Sequence, residues 1–329
     1  TLVSMWTGYV GEDLPGIIMG VLLDLINNNI IKTIKLRSLF LTMGMGTGII
    51  SSIFTLYFFL VSKERVLQRI DRPSIKEGLK AIINNYPMLT ITLSDFFGGF
   101  SVGANLQDYF IDVLGSASLL TLINQPSGFN GTISYAFVKP LRSRFSSKSL
   151  WIGLDIYSRL LSIVVFLIGS HKGNYKKRLF MSILFGSQFF FEKLSWGPKN
   201  ITGTEIGNES MDYCEWKNGY RMEATTNVAR GLVLKLQGIF MGSVRNLILY
   251  KIGYVQGLKI GTQTEKTKYW LFALSTAMPM ITGAPSLIPR FFYPLTSKKR
   301  ALMYEELFER RKLYARDINA ADEAGLSDE

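Results

Sequence analysis

The chain alternates long apolar runs with short clusters of Lys and Arg, and the runs have the length of membrane spans. From Leu39 to Val61, LFLTMGMGTGIISSIFTLYFFLV holds 23 residues without a charge, enough for one helix to cross a hydrocarbon core of about 30 Å. The pattern predicts eight helical spans: Leu2 to Ile26, interrupted by Glu12, Asp13 and Asp24, then Leu39 to Val61, Met88 to Ile111, Leu119 to Val138, Leu150 to Gly169, Leu179 to Ile201, Thr225 to Tyr254 and Tyr269 to Phe292. The polar stretch Lys63 to Pro87 reads as a long connection with short interfacial helices, and Lys139 to Lys148, KPLRSRFSSK, as a basic turn. Ser297 to Arg316 reads as a charged helix, and Asp317 to Glu329 as an acidic disordered end. The expected class is therefore all-α and polytopic.

Charge orients this arrangement. The connections on one side, together with the tail helix, carry 19 Lys and Arg, against 10 on the other, so the first side, including the C-terminus, is expected in the cytoplasm. The net charge of +12 does not point to nucleic acid, because the cations lie between apolar runs and in the tail rather than on one soluble module. Averages alone would mislead: 47% hydrophobic residues and a mean hydropathy of +0.18 are ordinary for a globular protein.

Composition also excludes chemistries. One cysteine, Cys214, rules out an internal disulfide framework and Cys-rich metal sites, and one histidine, His171, rules out HExxH and His-triad metal sites. His171 sits in a Lys-rich connection with no GxSxG nearby, so a Ser-His-Asp hydrolase has no support and His171 reads as a solvated loop residue. No enzyme is expected.

The most distinctive segment is Met211 to Gly257, MDYCEWKNGYRMEATTNVARGLVLKLQGIFMGSVRNLILYKIGYVQG. A charged, aromatic-rich turn enters a glycine-punctuated apolar helix that carries Lys235 near mid-membrane. Gly231, Lys235, Gly238 and Gly242 fall at offsets 0, 4, 7 and 11, one face of a helix. Small residues there predict close packing to a neighbouring helix and a lysine turned into the bundle. A charge at that depth costs about 2.5–3.5 kcal/mol and needs a carboxylate, water or substrate hydroxyls. The residues alone leave a structural ion pair and a cavity role both open.

This segment closely resembles the glycoside-pentoside-hexuronide:cation symporter family, the melibiose-permease-like branch of the major facilitator superfamily, marked by a DYGEWKTGxRxEG-type loop leading into a helix with VKLG. LSDFFGGFSVGANLQDYFIDVLGSASLL, Leu93 to Leu120, is similar to the family's seventh helix, and FVKPLRSRFSSK to its loop between helices eight and nine. Cys214 stands where the family usually has Gly, and Ala224 where Gly is common. The resemblance implies helices five to twelve of a twelve-helix fold. Residues 1–62 would be the last two helices of an N-terminal bundle, 63–87 the inter-bundle loop, 88–296 a six-helix bundle and 297–329 a cytoplasmic tail. On that plan four N-terminal helices are expected to be missing from the chain.

The resemblance also implies a function: a monomeric plasma-membrane carrier moving a sugar or glycoside with Na⁺, H⁺ or Li⁺ by alternating access, with the lipid bilayer as its surroundings and no other cofactor. The family's cation carboxylates lie in its first four helices, so the metal site is expected there. Lys235 matches a lysine linked to sugar binding and coupling, and Arg230 and Gly231 match substrate-facing positions, although Arg replaces a neutral residue. Glu209, Asp212 and Arg221, with Glu215 beside them, match a charged network that closes the cytoplasmic gate; a solvated polar loop is the plainer reading. Asp95 suits either the cavity or local bonding to Ser and Asn, and Trp196 either a sugar ring or an interfacial belt. Glu192 and Lys193 read as gate or interfacial charges, and Asp155 with Arg159 as an intrahelical pair. The competing readings are a carrier of a non-sugar solute such as a lysolipid, peptide or amphiphile, and a transport-inactive sensor.

Overall fold

A computed structural model describes residues 15–26, 28, 30, 31, 35–61, 75–219 and 223–323. Every regular element in them is helical. Two apolar helices come first, α1 (Pro15–Ile26) and α2 (Leu36–Val61). A short amphipathic helix, α3 (Ile75–Asn84), leads into α4 (Tyr86–Gly99) and α5 (Leu106–Asp112). There follow α6 (Leu119–Ile133), the 3₁₀ turn Ser134–Phe137, α7 (Val138–Arg144) and α8 (Ser147–Ser170). The chain continues through α9 (Arg178–Leu194), α10 (Trp196–Asn218) and α11 (Glu223–Lys251). It closes with α12 (Glu265–Ser275), α13 (Ala277–Thr282), α14 (Leu287–Phe291) and α15 (Ser297–Glu323).

By length and apolarity α2, α8 with its 3₁₀ extension to Lys176, and α11 each suffice to cross a membrane, and the pair Glu265–Ser275 and Ala277–Phe291, bent by 42°, makes a fourth span. The other expected spans are assembled from shorter pieces. The run Met88 to Ile111 is α4 and α5 separated by non-helical Ser101–Asn105, and the run after Leu119 passes from α6 through a 3₁₀ turn into α7, so the expected basic turn is helical as far as Arg144.

Three expectations need correction. The sixth span does not run unbroken to Ile201: it stops at Leu194, and a new helix starts at Trp196 with Pro198 in its first turn, where a missing N–H is tolerated. The expected loop DYCEWKNG is then the last turns of α10, ended by Gly219 at φ 76°, a left-handed cap that glycine adopts without strain. The tail helix also continues past Arg316 to Glu323. Residues 1–14, most of the connection at 62–74 and Arg221 lie outside the described residues.

Two breaks face each other and satisfy each other's backbone. Val102 N donates to Thr282 Oγ1 at 2.7 Å, Ser101 Oγ to the carbonyl of Pro279 at 2.9 Å, and Ala104 N to the carbonyl of Leu274 at 2.9 Å. Non-helical backbone survives at membrane depth only when it is paired in this way or lines a cavity. At one end of the bundle an aromatic core of Tyr109, Phe110, Phe185, Phe272 and Tyr175 holds α5, α8, α9 and α12 together. Gly169 permits this, since a Cβ there would lie 2.3 Å from the Phe272 ring. At the other end Ile91, Ile206, Tyr213, Tyr293, Leu295, Met303 and Leu307 form a second core that includes the tail helix.

The first helices join the bundle unequally. Asp24 of α1 accepts from Ala117 N at 2.7 Å, Ser118 N at 3.1 Å and Ser116 Oγ at 2.7 Å, and also from Ser118 Oγ. Its carboxylate thus caps the N-terminus of α6, where negative charge is favoured. In α2, by contrast, Leu39 is the one buried side chain, the signature of a helix surrounded by lipid or by further protein.

Candidate functional site

Three groups of polar side chains in the described bundle coincide with the residues singled out from the sequence. At the end carrying the second core, α15 lies across α10. Glu209, 4% exposed, accepts from Arg300 Nη1 at 2.8 Å and from the Tyr293 hydroxyl at 3.3 Å. Asp212 accepts from Arg311 Nη2 at 3.1 Å and the Tyr304 hydroxyl at 3.2 Å, and Glu215 takes both Arg311 Nε at 3.0 Å and Nη2 at 2.5 Å. Trp216 Nε1 donates to Glu306 at 2.5 Å. Hydrogen bonds to Glu215 and then to Asp212 hold the Arg311 guanidinium above its usual range, and burial followed by the Asp212 charge pushes the Tyr304 phenol up to about 12. The three acidic residues proposed for a gate are therefore brought together, and the cations that pair with them among the described residues come from the tail helix.

In the middle of the bundle, α4, α8, α11 and α14 share a second cluster. Arg230 pairs with Asp95, while its Nε is buried without a partner among the described residues. Asp155 and Arg159 form the expected i,i+4 pair at 2.9 Å, and Arg290 joins it at 3.5 Å while bonding Ser94 and lying 4.7 Å over the Trp151 ring. Arg290 was not singled out from the sequence; the signal was a cation inside the last apolar run. Further along α11, Arg245 pairs with Asp108 at 3.2 Å.

Lys235 does not join this cluster. It is exposed, with no hydrogen bond or ion pair among the described residues, and a Cβ at Gly231, Gly238 or Gly242 would meet nothing within 4 Å. The expected packing of that glycine face against a neighbouring helix is thus not found among the described residues. The face of α11 that packs on α4 is a neighbouring one, where the Gln237 amide reaches the carbonyl of Phe96 and Gly99 makes room for it.

The third place is the α9–α10 break. Phe189, Glu192, Lys193, Ser195, Trp196 and Lys199 line a cavity of about 180 Å³. Tyr135 stands perpendicular to the Trp196 ring at 6.1 Å, and Lys193 Nζ lies 5.6 Å from its centre. Below the break, α10 turns an unusual surface outward: Asn200, Gly203, Thr204 and Asn208 are exposed, and no large apolar side chain is exposed anywhere on this helix. On α9 and α11 the exposed positions include Leu179, Ile183, Ile239 and Phe240.

Broken spans, ion pairs within the bundle and one polar-faced helix are features that membrane-transporter folds share. The family model for MFS/sugar transport proteins matches residues 1–297, and the chain belongs to that family. It is 25% identical over 257 residues to a putative sulfoquinovose importer of Salmonella typhimurium, covering 76% of this chain and 52% of the other. It is 26% identical over 276 residues to the lactose permease of Lactobacillus delbrueckii subsp. bulgaricus, covering 81% and 40%. The uncharacterized symporter YjmB of Bacillus subtilis is 25% identical over 278 residues, covering 80% and 57%. The chain thus spans about half the length of these curated relatives. It is a multi-pass membrane protein of a transporter family, as its apolar runs and loop motif implied.

Proposed function

We propose that the native protein carrying this chain is a secondary carrier that moves a sugar or glycoside with Na⁺, H⁺ or Li⁺ across the plasma membrane by alternating access, its tail helix in the cytoplasm. The observation that carries this reading is the exposed polar face of α10, Asn200, Gly203, Thr204 and Asn208. Hydrocarbon gives such groups no hydrogen-bond partners, so the face belongs beside water, as the wall of a solute pathway. In this reading Asp95, Arg230, Gly231, Lys235 and Trp196 serve substrate, and Glu209, Asp212 and Glu215 serve the gate at the pathway's inner end, together with Arg221. Two relatives named as a lactose permease and a symporter support the sugar and the coupling. A sugar that binds between two bundles shifts the same equilibrium as the cation, so each strengthens binding of the other.

One observation favours an acidic sugar over a neutral one. Arg230, Lys235 and Arg245 of α11 meet only Asp95 and Asp108, and Lys235 has no partner among the described residues. The relative named as a sulfoquinovose importer agrees with an anionic cargo. Proteoliposomes holding the native protein and loaded to give Na⁺, Li⁺ or H⁺ gradients test both readings with labelled lactose and labelled glucuronate. Gradient-driven accumulation of either sugar is expected. Absence of flux for both under every gradient overturns the carrier reading.

A further inference from the structure

Where the tail helix begins, the ends of two membrane spans lie side by side, and cations collect at the junction. Lys148, in the first turn of α8, donates from Nζ to the carbonyls of Phe291 at 2.6 Å and Tyr293 at 3.3 Å, which ties it to the end of the last span. Ser147 Oγ accepts from Arg142 Nη1 at 2.6 Å and from Arg300 Nη1 at 3.0 Å, so α7 and the first turn of α15 meet at the same point. The carboxylates nearby are already taken, Glu205 by Arg142 at 2.9 Å and Glu209 by Arg300 at 2.8 Å. Arg144, Lys148 and Lys298 have no ion pair among the described residues.

We propose that this junction binds an anionic phospholipid, with Lys148 at the phosphate, Arg144 and Lys298 on either side of it, and the acyl chains against the exposed rings of Phe145, Phe291 and Phe292. The inference needs only that the chain spans a membrane and does not depend on which solute is carried. An ammonium has three N–H donors, and Lys148 gives two to carbonyls, so one is left for a phosphate oxygen. Carbonyls orient the lysine without neutralising it, and a charged donor makes the shorter and stronger bond to phosphate. Arg142 and Arg300, already paired, serve as the frame that holds α7 and α15 together around the site.

Two observations commit the site to a lipid rather than a soluble anion. The exposed rings of Phe291 and Phe292 close one span and that of Phe145 precedes another, so the cations sit at the depth where headgroups meet acyl chains. Charge matching along α15 also changes with distance from the spans. Arg310 is bonded to the carbonyls of Glu215 and Trp216, Arg311 pairs with Asp212 and Glu215, and Lys312 pairs with Glu309 at 3.4 Å. Lys298, in the turn beside the bilayer, has no such partner among the described residues. Attraction to an anionic leaflet fades within a Debye length, so a cation matched by lipid must lie in that first turn.

The test is lipid retention by the native protein, purified in detergent, offered equal phosphatidylglycerol and phosphatidylcholine, and weighed by native mass spectrometry. The wild type is expected to retain phosphatidylglycerol in clear preference. Arg144→Gln combined with Lys298→Gln should weaken that binding about tenfold, because each cation beside a lipid surface adds to the attraction. Neither side chain has a hydrogen bond or ion pair among the described residues, so the double variant should keep the wild-type unfolding temperature. Lys148→Gln should weaken binding to a similar degree, and the double variant carries the test if loss of the bonds to α14 unfolds it. Lys251→Gln with Lys259→Gln, the same charge change at the opposite end of the bundle, is the control and should bind as wild type. Equal retention of the two lipids, wild-type binding in the double variant, or an equal loss in the control overturns the site. Displacement of the lipid by free glycerol phosphate at matching concentration also overturns it, since the site would then hold a soluble anion. Solute flux plays no part in these readouts, so the carrier reading stands or falls separately.

Discussion

Arg300 of the tail helix donates from Nη1 to the carboxylate of Glu209 at 2.8 Å, joining α15 to a charge buried on α10. Removing one member of a buried pair leaves the other unsolvated and costs about 3–5 kcal/mol, whereas half-exposed pairs contribute about 0–1 kcal/mol. Arg300 is 30% exposed and Arg311 46%, so the two arginines should differ. Arg300→Ala is expected to lower the unfolding temperature clearly and Arg311→Ala barely, and Glu209→Gln combined with Arg300→Met should recover most of the loss. Equal effects of the two arginine changes, measured by thermal unfolding in detergent, would contradict the ranking.

The tail helix covers α10 through Met303 and Leu307, both essentially inaccessible and packed in one core with Tyr213, and the buried Cys214 follows Tyr213 in α10. Deleting 297–329 uncovers this core while leaving the described helices before it intact. Maleimide should then modify Cys214 at least about tenfold faster than in the intact chain, an order-of-magnitude expectation for a site released by local unfolding. An unchanged labelling rate would show that the tail does not protect this end.

Alkaline pH should loosen the same contact. Burial and the Asp212 charge hold the Tyr304 phenol protonated up to about 12, above the ordinary tyrosine value of about 10. Stability from this group is complete below about pH 10 and falls as pH rises towards 12, because the unfolded phenol ionises first. Tyr304→Phe should flatten part of the fall in unfolding temperature over that window. An identical pH profile in the variant would remove Tyr304 from the account.

Gly197, the second residue of α10, lies against backbone, with a Cβ there 2.8 Å from Tyr135 N and 2.9 Å from the Ser134 carbonyl carbon. Backbone cannot swing aside as a flexible side chain can. Gly197→Ala is therefore expected to cost about 1–3 kcal/mol, seen as a lowered unfolding temperature. Gly203→Ala, where a Cβ meets nothing within 4 Å, is the control and should behave as wild type.

Asp24 gathers the N–H groups of Ala117 and Ser118 with the hydroxyls of Ser116 and Ser118. An amide in its place keeps one acceptor and loses the charge that favours a helix N-terminus. Asp24→Asn should cost about 1–2 kcal/mol, and proteolysis between α1 and α2 should speed up as α1 leaves the bundle. A proteolysis rate equal to wild type would show that α1 is held by other contacts.

The sequence by itself determined the class of the protein. Apolar runs such as Leu39 to Val61 are local and additive, so their length alone required membrane helices, and the DYCEWKNG segment with Lys235 pointed to the family. Even single pairs were legible where they sat one turn apart, as with Asp155 and Arg159. What the sequence left undetermined was everything that depends on a bend or on a distant partner. Hydropathy averaged over about 19 residues passes over a break only a few residues long, so the stops at Gly99, Leu194 and Ser275 became visible only in the structure. The acidic residues of α10 were recognised, but Arg300 and Arg311, about 90 or more positions later, were not matched to them. Lys235 was read as packed inward because a glycine face permits close approach, yet permission does not supply a neighbour, and the structure packs α11 through Gln237 instead. Glu192, Lys199 and Trp196 share one cavity because a helix bends at Ser195, and that convergence belongs to tertiary packing, which no local pattern of residues encodes.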